Sequence, residues 1–175
     1  MSFIITNINS RKSVASIKKD LINLRNKNPD KKIVLCSGSF DLTHAGHVLF
    51  FEDCKKLGDI LVVDLGSDKS IKISKGLNRP ILNEHIRHKT VSSLKTVDYC
   101  FVDRTKNAHK PESLHYYFNI LKPNFYIQNS DAKRLKEGQV IAKQDNVKMV
   151  ILARTCPKEF DSISTTKILD KIKKS

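Results

Sequence analysis

The fold of this chain is decided by the stretch KIVLCSGSFDLTHAGH, which occupies residues 32–47. Its first part, Lys32 to Cys36, contains a short continuous apolar run, which is typical of a strand buried on both faces of a parallel sheet. A glycine-bearing loop follows from Ser37 to Ala45, and apolar residues then recur at helical spacing from His47 to Leu57. Because the next apolar run spans Ile60 to Leu65, the stretch predicts a strand-helix-strand unit with parallel strands.

The alternation of strands and helices continues in both directions. Upstream, Ser13 to Asn26 places apolar residues on one helical face and predicts a lead-in helix capped by Ser13. Gly58 is predicted to end the helix that follows the first loop. Downstream, the predicted elements are a helix near Glu84 to Lys95, a strand Tyr99 to Val102, a helix Pro111 to Leu121, a strand Phe125 to Gln128, a helix Ala132 to Gln144, a strand Val147 to Leu152 and a helix from about Ser164 to Ile172. This order predicts an α/β, Rossmann-like fold: an open parallel five-stranded sheet with helices on both faces.

Length and composition are those of one globular domain. The 175 residues are 39% hydrophobic and 29% charged, so we expect a single domain over residues 1–175, with residues 1–30 as its lead-in helix. Four cysteines, Cys36, Cys54, Cys100 and Cys156, are too far apart for a CxxC pair, which argues against a zinc site. Every apolar run is shorter than the roughly 18 residues of a membrane span. We therefore expect a cytoplasmic protein without a membrane partner.

The charge of the chain favours anionic partners. Lysines and arginines number 32 against 18 acidic residues, which gives a formal net charge of +14. Nucleic acid is one candidate partner, and a nucleoside triphosphate or a phosphorylated metabolite is another. The chain has no arginine-rich arm and no basic strand interleaved with aromatic residues, so nucleic acid is the weaker candidate.

His44 and His47 mark the candidate phosphate site. They are three residues apart at the start of a predicted helix, so both project from one face beside the unpaired amides of the first turn. Those amides and the helix dipole favour an anion, and two imidazoles add donors for phosphate oxygens. Gly38, in the same loop, permits a backbone turn or a close ligand approach. A simple helix cap made by the two histidines is the structural alternative.

Motifs along most of the chain agree with one known family. SGSFD at 37–41 is followed by HAGH at 44–47, and ISTTKI stands at 163–168. Between them lie Ser67-Asp68, Lys72, Lys75-Gly76, Arg79-Pro80, Arg87 and Val97-Asp98. Over about residues 30 to 172, the chain resembles the cytidylyltransferase-like nucleotidyltransferases. In that family a substrate phosphate oxygen attacks the α-phosphorus of a nucleoside triphosphate and pyrophosphate leaves.

The resemblance implies roles for individual residues. His44 and His47 would hold the α- and β-phosphates. Lys72 or Lys75, on a loop able to close over the site, would stabilise the developing negative charge, and Arg87 would grip the triphosphate. The residues implied to bind the nucleotide are Ser37, Gly38, Ser39, Phe40, Asp41, Gly46, Asp68, Asp98, Arg154, Thr155, Ser164, Thr165 and Thr166. For Ser164 to Thr166 an ordinary helix cap is the alternative, and Asp68 and Asp98 could equally be strand-end caps.

Two further expectations follow from the same resemblance. The chemistry leads us to expect Mg²⁺ bridging the phosphates, with Asp41 as the residue that positions either the metal or the loop. The resemblance also implies a homodimer.

The acceptor side departs from the family pattern. Asp64 interrupts the second strand, where a carboxylate needs a partner or an opening to the ligand pocket. Gln128, Asn129 and Asp131, after the fourth strand, stand where relatives often carry a glycine pair before an acid. These four residues are therefore the candidates for binding the phosphorylated acceptor, a polyol or sugar phosphate.

The sequence contains conflicting indications of whether the nucleotide is CTP or ATP. Arg154-Thr155 and the ISTTKI motif resemble the glycerol-3-phosphate cytidylyltransferase type, although seven residues, 156–162, separate the two motifs where relatives have only about two. The lead-in helix, HAGH and Arg79-Pro80 resemble the adenylyltransferases that activate heptose 1-phosphate. The sequence favours CTP, with an ATP-dependent adenylyltransferase acting on a sugar 1-phosphate as the alternative. A nucleotide- or nucleic-acid-binding protein that keeps the fold without turnover is the alternative outside enzymes.

Overall fold

The computed structural model describes residues 12–106, 108, 110, 112–153, 157, 160 and 163–175. The strands in this part of the chain are β1 (Ile33–Gly38), β2 (Ile60–Gly66), β3 (Tyr99–Asp103), β4 (Phe125–Asn129) and β5 (Lys148–Leu152). The helices are α1 (Val14–Lys27), α2 (Ala45–Lys56), α3 (Asp68–Lys75), α4 (Glu84–Ser92), α5 (Ser113–Leu121), α6 (Leu135–Gln144) and α7 (Thr165–Lys174). Strands and helices alternate as the sequence predicts, with α3 as an additional helix.

All five strands form one parallel sheet in the order β3-β2-β1-β4-β5. This confirms the predicted Rossmann-like α/β fold. The direction in which strands are added reverses between β1 and β4. In open parallel sheets, ligands bind outside the carboxyl ends of the strands at such a reversal. The loop after β1 and the end of β4 flank this point, so the fold directs attention to them.

Apolar side chains cover both faces of the sheet. On one face, Val62 of β2 packs in a cluster with Leu121 of α5 and Ile141 of α6. On the opposite face, Val63 packs in a second cluster with Phe51 of α2. We call these the α5 face and the α2 face. Successive side chains of a strand alternate between them, which assigns each polar residue at the strand ends to one face.

Helix α1 confirms the predicted lead-in helix. The Ser13 Oγ accepts a hydrogen bond from the Ser16 amide at 3.2 Å, which is the expected cap. Near its end, Arg25 donates to the carbonyls of Leu121 and Lys122 at 2.7 and 2.6 Å and thereby fixes α1 against the end of α5. Within the described residues, none of the helices combines the length and the apolar character that crossing a membrane requires.

Two local features differ from the sequence-based expectations. The segment expected to be a loop after β2 is helix α3, whose start is capped by the Ser67 Oγ accepting from the Ser70 amide at 3.3 Å. Gly58 does not terminate α2 in a left-handed conformation, because the helix ends through right-handed Leu57. A Cβ on Gly58 would lie 2.6 Å from Cγ2 of Val34, so the glycine is required for close contact with β1.

Candidate active site

A cleft of about 1080 Å³ opens along the carboxyl edge of the sheet. Its two halves differ in chemistry. The phosphate half is formed by the loop after β1, the end of α3 and the start of α7. The carboxylate half is formed by polar side chains of β2, β3 and β4, namely Asp64, Asp103, Tyr126, Gln128 and Asn129.

The loop after β1 is shaped by the ring of Phe40. Phe40 and Leu42 both adopt left-handed backbone conformations, with φ of 43° and 46°. This turns the Phe40 ring back over Gly38, where an added Cβ would lie 2.8 Å from the ring. Gly38 therefore makes room for a protein side chain, which is a more specific reason than the turn or ligand approach expected from the sequence.

His44 and His47 come together at the start of α2. Their rings stack with centroids 3.9 Å apart, and Phe40 contacts His47 edge-on at 5.4 Å. Gly46 allows this arrangement, because a Cβ there would lie 3.1 Å from the His44 ring. The His44 side chain makes no capping hydrogen bond to the helix, although His44 is the residue before its first turn. Both rings line the cleft beside the helix amides, as a phosphate site requires.

Asp41 organises the phosphate half from beneath. Its carboxylate is fully buried and accepts from the amides of Ile81 and Leu82 at 2.8 and 3.0 Å and from Arg79 Nε at 3.0 Å. Four protein donors, counting the second Arg79 nitrogen at 3.0 Å, therefore surround it. This geometry supports the expectation that Asp41 positions the loop.

The hydrogen bonds of Asp41 also affect the prediction that this residue positions Mg²⁺. The described residues include no group of three or more histidines, cysteines and acids able to hold a metal ion. Asp41, the one residue predicted for that role, already binds Arg79 and two amides. The described side chains therefore do not fit a protein-built metal site, and Mg²⁺ stays a prediction that rests on the chemistry of nucleoside triphosphates.

The start of α7 is joined to the phosphate half. Ser164 caps the helix by accepting from the Lys167 amide at 3.2 Å, and the Thr165 Oγ1 donates to the backbone carbonyl of Asp41 at 2.7 Å. Ser164, Thr165 and Thr166 all line the cleft. The capping alternative is thus present, and the same residues also bring a second helix N-terminus to the site.

Of the two candidate lysines, only Lys75 reaches the phosphate half. Both residues are exposed overall, but the Lys75 ammonium donates to the Ser39 Oγ at 2.7 Å, whereas Lys72, three residues earlier on α3, does not line the cleft. Burial of the ammonium, together with the positive charge of Arg79, lowers the pKa of Lys75. Both lysines belong to the last turn of a helix rather than to the predicted loop.

The position of Arg87 differs from the one expected for a residue that binds the triphosphate. Its side chain is fully buried and donates to the carbonyls of Leu82, Ser39 and Gly66 at 2.9, 2.7 and 2.9 Å. It also pairs with Asp68 at 2.7 Å. A guanidinium with this many internal acceptors holds the loops around the cleft, and Arg87 is not among the described residues that line it.

The position of Asp98 also differs from that of a nucleotide-binding residue. It immediately precedes β3, so it lies at the amino edge of the sheet, opposite the cleft. There its carboxylate accepts from Lys55 and from the Leu61 amide. This is the strand-end cap that was the alternative for Asp98. Asp68, in contrast, lies at the carboxyl edge, where its amide donates to Glu84 at 3.0 Å.

In the carboxylate half, three neutral side chains bind one another. The Ser37 Oγ and the Tyr126 hydroxyl are 2.8 Å apart, and the Gln128 amide donates to these two oxygens at 2.9 and 2.7 Å. Burial raises the pKa of Tyr126. Asn129 and Asp131 line the cleft beyond them, as the sequence analysis predicts for the acceptor side.

Asp64 also lines this half and is 4% exposed. Burial, followed by the negative charge of Asp103, raises its pKa well above the ordinary value. Asp103 could not be predicted as a site residue, because its position beside β2 depends on strand register. The basic residues Lys110, Lys133 and Arg134, in the segments after β3 and β4, also line the cleft and were not predicted. Their place in the segments that follow predicted strands was the available signal. Arg154 and Thr155 lie outside the described residues.

Comparisons relate this chain to known proteins. A family model described as cytidylyltransferase-like matches residues 35–171. The chain is 35% identical over 157 residues to the Bifunctional protein HldE of Campylobacter jejuni, covering 89% of this chain and 31% of that protein. It is 32% identical over 171 residues to the HldE of Aliarcobacter butzleri, covering 97% of this chain and 33% of the relative. The chain thus spans about a third of the length of these relatives.

Solved structures give the same fold. A lipopolysaccharide core biosynthesis protein from Thermoplasma volcanium is similar with a TM-score of 0.58 and 25% identity, covering 75% of this chain and 99% of that one. A pantoate-β-alanine ligase from Francisella tularensis is similar with a TM-score of 0.56, covering 90% and 76%. At 15% identity, the second likeness concerns the fold alone.

Proposed function

The chain belongs to the cytidylyltransferase-like family, and from that membership we propose that it is an adenylyltransferase that joins ATP to a sugar 1-phosphate and releases pyrophosphate. The observation that carries the proposal is the meeting of two helix N-termini at one cleft. His44 and His47 stand at the start of α2, and Ser164 stands at the start of α7. The Thr165 hydrogen bond to Asp41 joins the two.

This arrangement suits phosphoryl chemistry. Helix N-termini present unpaired amides to anions, and the two imidazoles add donors that are held in place by stacking. An acceptor phosphate oxygen attacks the α-phosphorus, and the bond to the leaving pyrophosphate breaks. Such a displacement depends on positioning and on neutralising charge spread over phosphate oxygens. Lys75 supplies a positive charge at the edge of the phosphate half.

Several features favour ATP over CTP. The relatives reported above bear the name HldE rather than that of a cytidylyltransferase, and one of them aligns over 97% of this chain, a span that includes the lead-in helix. The lead-in helix and Arg79-Pro80, two of the features shared with heptose-1-phosphate adenylyltransferases, are integral to the fold. Arg79 binds the buried Asp41, and α1 packs on the sheet.

The features that favour CTP carry less weight. In ISTTKI, Ser164 caps α7 and Thr165 binds the loop after β1, so these residues have duties that do not depend on the base. The preference for CTP drawn from the sequence therefore gives way to its alternative.

The experiment is pyrophosphate release by the purified chain with ATP or CTP and a set of hexose and heptose 1-phosphates. We expect ATP to exceed CTP by about 30-fold or more in kcat/KM, because a base pocket penalises the wrong base through buried groups left unpaired, about 1 to 3 kcal/mol each. Glycerol 3-phosphate serves as the control acceptor. A preference for CTP with glycerol 3-phosphate would reverse the choice of nucleotide and acceptor, and nucleotide binding without product would favour a binding protein.

A further inference from the structure

Asp64 and Asp103 project from the same face of neighbouring strands. Gly66 of β2 pairs with Asp103 of β3, and Asp64 precedes Gly66 by two residues. Because side chains alternate along a strand, both carboxylates point to the α5 face. Both side chains are buried, with residue exposures of 4% and 3%. The carboxyl edge of the sheet therefore holds a buried pair of acids on one side of the cleft.

The two acids differ in how the protein satisfies them. Asp103 Oδ1 accepts from the amide and hydroxyl of Thr105 at 2.9 and 2.8 Å and from the Tyr117 hydroxyl at 2.8 Å. Asp64 Oδ1 has no hydrogen-bond donor among the described residues, although it is buried at the wall of the cleft. An unsatisfied buried carboxyl oxygen is costly, so it points to a ligand that supplies the donor.

The neutral groups beside the acids do not fill this need. Ser37 is the register partner of Asp64, yet Ser37, Tyr126 and Gln128 hydrogen-bond among themselves. These three side chains therefore leave the Asp64 Oδ1 without a donor.

No lysine or arginine of the described segments forms an ion pair with Asp64 or Asp103. Lys110 lines the same cleft without pairing with either. In contrast, Asp41 pairs with Arg79, and Asp68 pairs with Arg87. In a chain of net charge +14, two buried acids without a cation are exceptional. The missing positive charge is the feature that a ligand would provide.

We propose that the acceptor is a phosphorylated amino compound whose ammonium group binds between Asp64 and Asp103. This inference rests on the proposed function, because it assigns the second charged group of the acceptor. An ammonium carries three donors and no acceptor, so it can bridge two carboxylates. Lys75, Lys133 and Arg134 line the cleft and supply positive charge for the acceptor phosphate.

The position of the acids separates this group from the nucleotide. The ring of Phe40, which contacts His47, packs in the α2-face cluster, whereas Asp64 and Asp103 belong to the α5 face. An acceptor lying across the edge of the sheet therefore extends its phosphate toward the histidines and its ammonium away from them.

The test is calorimetric titration of the full chain with matched ligands that differ by one ammonium in place of one hydroxyl. Amino-deoxyhexose 1-phosphates with the amine at different ring positions are compared with their parent hexose 1-phosphates. We expect at least one amino compound to bind about tenfold more tightly than its parent, as a charge-assisted contact provides. Asp64→Asn should abolish that difference.

Asp145→Asn is the matched control, because Asp145 pairs with His115 at 2.8 Å and does not line the cleft. It should keep the preference for the amine. Equal or weaker binding of every amino compound by the parent protein would overturn the proposal, as would a preference that survives Asp64→Asn.

A titration with Mg²⁺ alone tests whether the acids bind a divalent cation instead. Binding of Mg²⁺ that Asp64→Asn removes would assign the acids to a divalent cation and equally overturn the proposal.

A pH series adds a second readout. The groups electrostatically coupled to Asp64 are Asp103, Cys36, Cys100, Tyr117 and Tyr126, and burial raises the pKa of the last four, that of Cys100 to about 12. Those four stay neutral near physiological pH, so Asp64 is the group expected to ionise as the ammonium binds. Affinity for the amino compound should rise with pH, while that for the parent stays flat. A flat profile for both would contradict ammonium binding.

The results distinguish a failure of the proposed function from a failure of the ammonium site. Pyrophosphate release with ATP and a neutral hexose 1-phosphate, but no preference for amines, keeps the adenylyltransferase and removes the ammonium. A preference for amines in binding that disappears in Asp64→Asn, without pyrophosphate release from either nucleotide, keeps the amine site and removes the proposed reaction.

Discussion

Asp41 and Asp64 are two buried aspartates at the same edge of the sheet, and the protein treats them differently. Asp41 is surrounded by four donors from Arg79 and the segment after it, whereas Asp64 has an oxygen without a donor among the described residues. The first carboxylate is part of the scaffold. The second resembles a binding group, because its unmet hydrogen-bonding capacity opens onto the cleft.

The same contrast distinguishes the two halves of the cleft. Around the phosphate half, charged side chains such as Arg87 and Asp41 make their hydrogen bonds to the loops that they hold. In the carboxylate half, Asp64 and Asp103 project from the same face of the sheet, and neither forms an ion pair with a lysine or arginine of the described residues. Charged side chains whose hydrogen bonds are all made within the protein thus position the loops, whereas those with unmet hydrogen bonds are candidates for ligand binding. Substitutions in the two halves of the cleft should therefore have different kinds of effect.

The largest expected effect comes from the scaffold aspartate. Asp41→Ala leaves Arg79 and the amides of Ile81 and Leu82 without their acceptor, so it should destabilise the fold by about 3 kcal/mol. Urea unfolding followed by circular dichroism measures this loss. A change below about 0.5 kcal/mol, within the range of ordinary surface substitutions, would mean that Asp41 is free to serve another role such as metal binding.

The histidines should give a loss of rate without a loss of stability. His44→Ala and His47→Ala are each expected to lower kcat about 100-fold, the usual cost of removing a preorganised donor to developing charge. His85→Ala, at an exposed position on α4, is the matched control. Steady-state kinetics with the active nucleotide provides the measurement. Folded variants that keep kcat within about threefold would remove the histidines from the catalytic machinery.

Lys75 and Lys72 form an internal comparison on one helix. Lys75→Ala should lower kcat about tenfold, since its ammonium lies at the phosphate half, while Lys72→Ala should change it by less than about twofold. Because the pKa of Lys75 is lowered, the lysine loses its charge earlier as pH rises, and activity should decline on the alkaline side. Lys75→Arg should move that decline to higher pH. Equal rates for both alanine variants would show that α3 carries no catalytic charge.

The sequence predicts the local features of this site better than the long-range ones. The strand, loop and histidine pair of residues 32–47 follow from neighbouring residues, so their positions could be predicted. The burial of Arg87 depends on carbonyls from three separate segments, which no local pattern contains. The triphosphate contact expected for Arg87 came from the family resemblance, which does not show these internal bonds.

Strand register explains the other omission. Asp64 stood out because a carboxylate interrupts an apolar strand, but its partner Asp103 becomes visible only when β2 and β3 are aligned. Helix α3 was missed for a different reason. Its apolar residues, Ile71 and Ile73, are too few to show a helical period, and the Ser67 cap carries the signal instead.

The smallest expected effect is on stability and comes from Asp64, with a sign opposite to that of Asp41. Because the folded protein raises the pKa of Asp64, it retains a proton that the unfolded chain releases above the ordinary aspartate pKa. The folded state therefore loses stability as pH rises from that ordinary value through the raised one, and Asp64→Asn removes this loss. Relative to the parent, the variant should gain about 1 kcal/mol between pH 4 and pH 8, the scale of an unsatisfied buried polar group. Urea midpoints across this range provide the measurement, with Asp145→Asn as the control. A variant that is less stable than the parent at pH 8 would mean that Asp64 is satisfied within the fold, and the distinction between the two aspartates would disappear.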